Sequence, residues 1–113
     1  MILVLGGTSD SLEICDRLSK NKDLLYTLSV TTSYGEDLAK KYAKNIIIGK
    51  LSEEDMIDFI EKNNINKIID ATHPYAIEVS KNAIKCAKEK NIDYLRYERK
   101  SLIEQITYKN KYI

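Results

Sequence analysis

The sequence predicts an α/β fold, a doubly wound parallel sheet of about five strands, on three observations. Short β-branched runs alternate with longer segments of helical spacing, the connections between successive runs are ten residues or longer, and the runs themselves are nearly all apolar. Strands joined by helical connections of that length pair in parallel through right-handed crossovers, and a parallel sheet is covered by helices on both faces.

Each element follows in turn. The first strand is Ile2-Leu3-Val4-Leu5, and a glycine turn leads into a helix whose start is read at Asp10, with Glu13 three residues on completing a capping box. Leu12, Cys15 and Leu18 then face the sheet. The second strand covers residues 26–32 and the third Ile46-Ile47-Ile48. Ser52 is the N-cap of the next helix, Asp55 its box partner, and Leu51 is placed to staple against Met56; Met56, Phe59 and Ile60, with Ile57 beside them, form its buried stripe. The fourth strand is read at residues 67–71. A helix follows with a small-residue face of Ala76, Val79, Ala83 and Ala87, and Pro74 is assigned to its first turn, where a missing N–H costs nothing. The fifth strand is Tyr94-Leu95-Arg96. Residues 98–113 read as a charged stretch carrying Ile103, Ile106, Tyr108 and Tyr112, without a sixth complete strand–helix unit.

Composition narrows the function. The 113 residues suit one domain, 1–113, with no internal repeat or linker to divide it. Eighteen Lys and Arg against 17 Asp and Glu leave a formal net charge of +1, so no broad field draws in nucleic acid or an anionic membrane. Cys15 and Cys86 lie in separate helical segments without C-x-x-C spacing and are read as small buried apolar residues. A lone histidine makes no zinc site, and no metal is assigned. With no signal-peptide pattern at the N-terminus and no apolar run of membrane-spanning length, a soluble cytoplasmic protein is expected.

Three turns carry the candidate chemistry. Gly6-Gly7-Thr8-Ser9-Asp10-Ser11 follows the first strand where a dinucleotide fold places its pyrophosphate, against free N–H groups and the positive end of a helix dipole. Against G-x-G-x-x-G only the first glycine is in register, so an empty β-to-α turn is the competing reading. The second strand ends in Thr31-Thr32-Ser33-Tyr34-Gly35, with no acid at its tip to hold a ribose 2′-hydroxyl. Hydroxyls there, with Lys40 and Lys41 beyond, suit a 2′-phosphate, while nearby Glu36 keeps NAD in play. The fourth strand runs into Asp70-Ala71-Thr72-His73-Pro74-Tyr75-Ala76, which a 3-2-1-4-5 strand order sets opposite residues 6–9 at the topological switch point. His73, the sole histidine, stands in sequence beside Asp70 and Tyr75 and is either a proton-transfer group or a plain turn residue. After the fifth strand, Arg96 and Arg99 offer guanidiniums for carboxylates or phosphates, or form a solvated charged turn with Glu98.

In order and spacing, residues 2–10, 31–36, 70–76, 80–83 and 94–99 resemble the precorrin-6A reductase (cobalt-precorrin-6A reductase) family. Asp-Ala-Thr-His-Pro-Tyr-Ala at 70–76 and Tyr-Leu-Arg-Tyr-Glu-Arg at 94–99 are the distinctive stretches. Family members join an N-terminal Rossmann-like half to a second α/β half, and the resemblance covers the first half alone, so the second domain is expected to be absent from this chain. The resemblance implies NADPH-dependent reduction of a double bond in a tetrapyrrole of cobalamin biosynthesis, without flavin. It places Gly6, Gly7, Thr8 and Ser9 at the pyrophosphate, Ser33 and Tyr34 near the adenosine ribose, and Thr72, His73 and Tyr75 at the nicotinamide and macrocycle rim. His73 and Tyr75 are then the catalytic candidates, and Arg96 and Arg99 the ligands of the substrate's carboxylates.

Two other readings stay open. One is a different NAD(P)-dependent oxidoreductase or epimerase, which usually carries Tyr-x-x-x-Lys after the fourth strand; Tyr75 is followed four residues on by Val79. The other is a Rossmann module that binds nucleotide without catalysis.

Overall fold

The computed structural model describes residues 1–32, 36–37 and 39–98. Its elements run β1 (Ile2–Leu5), α1 (Ser9–Ser19), β2 (Tyr26–Val30), β3 (Ile46–Ile48), α2 (Glu53–Lys62), β4 (Lys67–Asp70), α3 (Ile77–Lys90) and β5 (Asp93–Arg96). All five strands are parallel, in the order β3-β2-β1-β4-β5 that the sequence predicts.

β1 is the middle strand, and its alternation separates two cores. Leu3 and Leu5 point to one face, where they meet Ile68, Met56 and Ile60 of α2, and Ala83, Cys86 and Ala87 of α3. Val4 points to the other, with Leu28, Val30, Cys15 of α1, Ala39 and Ala43. A strand buried on both faces has no room for the polar-out alternation of a half-exposed one, which is why β1 reads as an unbroken apolar run. Both thiols are free and buried; burial pushes Cys15 up to about 12 and raises Cys86 as well.

Leu12 and Leu18 pack on the α1 side as expected, but the helix begins earlier than the sequence reading has it. Thr8, not Asp10, is the N-cap, and Ser11, not Glu13, completes the box. Thr8 has extended backbone (φ −130°, ψ 162°) and its hydroxyl accepts the Ser11 N–H at 3.1 Å, while the Ser11 hydroxyl accepts the Thr8 N–H at 3.3 Å and donates to the Thr8 carbonyl at 2.6 Å. The cap of α2 is as predicted: Ser52 Oγ accepts the Asp55 N–H at 3.1 Å, Asp55 Oδ2 accepts the Ser52 N–H at 3.4 Å, and Leu51 packs on the cluster containing Met56. Pro74 lies before α3 rather than in its first turn. Residues 73–76 form a tight turn closed by Ala76 N–H to the His73 carbonyl at 2.8 Å, and Ala76 caps α3 without a side-chain bond. At the far end of α3, Asn91 takes the left-handed conformation (φ 54°), which Asn tolerates better than most residues. Strands two and four end one or two residues sooner than expected, at Val30 and Asp70.

The two glycines of the first turn do different work. A Cβ on Gly6 would stand 2.7 Å from Leu28 Cδ1 and 2.9 Å from Ser11 Oγ, so its bare Cα is what lets the first turn of α1 sit against β2. Gly7 has φ +100° with open space around it, and is required by its backbone conformation. Because Leu28 and Ser11 are both fully buried, Gly6→Ala is expected to destabilise the fold by about 1–3 kcal/mol, the range for overpacking. Urea or guanidinium unfolding of the variant beside wild type, read as a shift in midpoint at unchanged slope, measures it.

Candidate functional site

In a doubly wound sheet the loops at the carboxyl ends of the strands share one edge, and the strands on either side of the switch point send their connections to opposite faces. Here β1 and β4 are those strands. Leu5 pairs with Asp70, and backbone bonds carry the pairing past the strand ends: Ala71 N–H to the Leu5 carbonyl (2.9 Å) and Gly6 N–H to the Ser29 carbonyl (2.8 Å). The Thr8 hydroxyl then donates to the Ala71 carbonyl at 2.6 Å, tying the first turn to the β4 loop.

Between these loops lies a cavity of about 650 Å³, within the range of small-molecule sites. Gly6 and Gly7 line one side, and Thr72, His73 and Tyr75 another, so the two turns separated by more than sixty residues do converge. Ser29 of β2 with Thr31 just beyond it, Gly49 and Lys50 after β3, Ser52 and Asp55 at the start of α2, and Glu78 and Asn82 of α3 complete its polar wall. A second cavity, about 450 Å³, sits at the opposite edge of the sheet by Met1, Leu25 and Asn66 and touches none of these residues.

Not every candidate is in the cleft. Thr8 and Ser9 do not line it, and both sides of the Thr8 hydroxyl are occupied, one by Ala71 and one by Ser11. Lys40 lies 3.7 Å from Asp37, and neither it nor Lys41 reaches the cavity wall. Ser33, Tyr34 and Arg99 fall outside the described residues. His73 is exposed; its Nδ1 accepts the Tyr75 N–H at 3.2 Å, and the two rings stand 4.9 Å apart, tilted by 33°. With Nδ1 accepting, the neutral imidazole carries its proton on Nε2.

Asp70 is not the partner of His73 that their closeness in sequence suggests. Its side chain is fully buried and turned toward α3 and β5. Oδ1 accepts the Thr72 N–H (3.1 Å), the Thr72 hydroxyl (2.6 Å) and Arg96 Nη1 (2.9 Å), and Oδ2 accepts the hydroxyls of Ser80 and Tyr94, both at 2.6 Å. Burial alone drives this carboxyl upward; the bonds from Ser80, Thr72 and Tyr94 outweigh it and hold it below its ordinary value. Tyr94 is pushed to about 12 by burial and by the carboxylate it donates to, and so keeps its hydroxyl proton throughout the working range. Arg96, a candidate for binding substrate, spends Nη1 on Asp70 and Thr72 and lies 3.5 Å from Glu98 through Nη2. It does not line the cavity.

Gly49 and Lys50 are wall residues that motif reading passes over. The available signal was position: any residue directly after a strand of a parallel sheet falls on the edge where ligands bind. Among the described residues no cluster of His, Cys, Asp and Glu is suited to a metal ion, and no helix is long and apolar enough to cross a membrane.

Comparison with known proteins agrees on one family. Residues 1–112 match the family model of precorrin-6x reductase CbiJ/CobK. The chain is 43% identical over 109 residues to the cobalt-precorrin-6A reductase of Methanocaldococcus jannaschii and 42% identical over 110 residues to that of Priestia megaterium. It spans 96% and 97% of itself in these matches but only 43% and 42% of the relatives' lengths. Among solved structures, CobK precorrin-6A reductase superposes on 88% of this chain and 37% of its own with a TM-score of 0.74 at 24% identity. A yeast saccharopine dehydrogenase superposes on 93% of this chain and 23% of its own (TM-score 0.70, 20% identity), and at these identities both superpositions speak to the fold alone.

The Asp70 network gives a prediction in acid. A carboxyl whose folded value lies below its unfolded one contributes stability that is complete above the unfolded value, near pH 4, and is lost as pH falls through the folded value. Asp70→Asn is expected to lose about 3 kcal/mol at neutral pH, since it leaves Arg96 without its buried partner, and to flatten the decline of stability below about pH 4. Denaturant unfolding of both proteins from pH 7 down to acid checks it; parallel pH curves would assign the acid limb to other carboxylates.

Proposed function

The chain belongs to the precorrin-6x reductase family, and from that premise we propose that it is the cofactor-binding part of an NADPH-dependent reductase acting on precorrin-6A or cobalt-precorrin-6A in cobalamin biosynthesis. The observation that carries the reading is the cavity at the switch point, where the glycine turn and the lone histidine face one cleft from its two sides.

The residues present suit a dinucleotide. Open space beside Gly7 lets a ligand come close to its backbone, and the positive dipole end of α1 follows directly, where phosphate oxygens are stabilised. Gly6 and Thr8 serve the same end indirectly, one by seating α1 and the other by fixing the turn against Ala71. Thr72 is held by Asp70 and Arg96 at the β4 end of the cavity, next to the exposed rings of His73 and Tyr75.

When bound, the nicotinamide supplies the hydride. What the chain contributes is placement of that ring against a flat macrocycle, exclusion of water, and a proton for the other end of the reduced bond. The Tyr75 hydroxyl and His73 are the groups assigned to that proton, His73 donating from Nε2 once a proton taken up at Nδ1 has replaced its bond from the Tyr75 N–H. Arg99 is kept as the ligand for substrate carboxylates, while Arg96 acts by holding β5 to β4. The protein is placed in the cytoplasm, where the reduced cofactor is available.

Two measurements test the reading. Calorimetric titration of the protein with NADPH should give saturable one-site binding. In the full-length protein, His73→Ala is expected to lower kcat by about a hundredfold, the scale of general acid catalysis, with NADPH affinity little changed. Unchanged turnover removes His73 from the chemistry, and an equal loss in Tyr75→Phe would spread the role over both groups.

A further inference from the structure

We propose that Lys50 selects the phosphorylated cofactor, binding the 2′-phosphate of NADPH at the β2–β3 end of the cleft. This rests on the cofactor reading above and adds which residue sets its specificity. Among the described residues lining the cavity, Lys50 is the only Lys or Arg. It is exposed and has no ion pair among the described residues, so its charge is not already neutralised.

Its place follows from register. Val30 pairs with Ile48, and the Gly49 N–H donates to the Val30 carbonyl at 2.9 Å, which sets Gly49 and Lys50 alongside Thr31 just past the tip of β2. In dinucleotide folds that tip receives the adenosine ribose. Gly49 has φ +113°, a conformation that sends the chain sharply round the end of β3 and delivers Lys50 to the cavity wall. Three strand spacings separate β3 from β4, about 14 Å, so Lys50 stands at the other end of the cleft from His73 and Tyr75. A substrate carboxylate held near those rings is out of its reach.

The acids of the wall do not undo the assignment. Glu78 belongs to α3, on the far side, and Asp55 has one carboxylate oxygen on the Ser52 N–H. Glu36, the acid that would favour a bare 2′-hydroxyl, does not line the cavity. A lysine that lines the same cavity as Thr31, with no acid at the strand tip, suits a dianionic phosphate.

Calorimetric titration of the protein with NADPH and with NADH, for wild type, Lys50→Ala and Lys50→Arg, tests the proposal. Wild type should prefer NADPH. Lys50→Ala should weaken NADPH by about tenfold or more while NADH changes little, and Lys50→Arg should keep the preference. An unchanged NADPH-to-NADH ratio in Lys50→Ala overturns the assignment and leaves the cofactor reading standing. Failure of wild type to bind either nucleotide overturns both.

Discussion

A carboxylate taken wholly out of water has to be satisfied by its surroundings, and Asp70 meets that demand with five donor contacts drawn from three parts of the chain. The cost of burying an unpaired charge is several kcal/mol, so every arrangement of α3, β5 and the β4 loop that fails to bring Ser80, Tyr94, Arg96 and Thr72 together is disfavoured. Asp70 thereby converts chemistry into geometry. It sets where the loop holding His73 and Tyr75 leaves the sheet, and it clamps edge strand β5 to β4 beyond what four residues of ladder supply.

The opposite wall depends on a tie of the same kind. The Thr8 hydroxyl gives its proton to the Ala71 carbonyl while accepting from Ser11, so capping α1 and joining the first turn to the fourth strand are one event. Gly6 permits it by bringing α1 close to Leu28. Between the two ties the cleft walls are fixed by the fold itself, before any ligand enters, which favours affinity because little ordering is left to be done on binding.

The fold was legible because its signals are periodic: apolar runs of strand length, long connections and the small-residue face of α3 all state the same architecture. Convergence of residues 6–7 with 72–75 followed from topology alone. What single-sequence reading misassigned were local competitions. Asp10 and Thr8 are both good N-caps, and the choice between them was made by Ala71, a residue far away in sequence. Asp70 and His73 are neighbours in the chain, but strand geometry turns the carboxylate into the interior and leaves the imidazole in solvent. The stretches that carry the family resemblance, around residues 70–76, 80–83 and 94–99, prove to supply Asp70, Thr72, Ser80, Tyr94 and Arg96, the members of one network around a buried carboxylate. Arginine at position 96 reads as a ligand for anions, and so it is, but the anion belongs to the protein.

The two thiols are shut away in different layers, Cys15 beneath α1 and Cys86 beneath α3. Since burial keeps both protonated and a thiol reacts as its thiolate, alkylating reagents reach either one only when its layer opens. The molecule thus carries a built-in pair of clocks. The labelling rate of each cysteine times the opening of its own side of the sheet, and a ligand that locks the cleft should slow the clock on whichever side it braces.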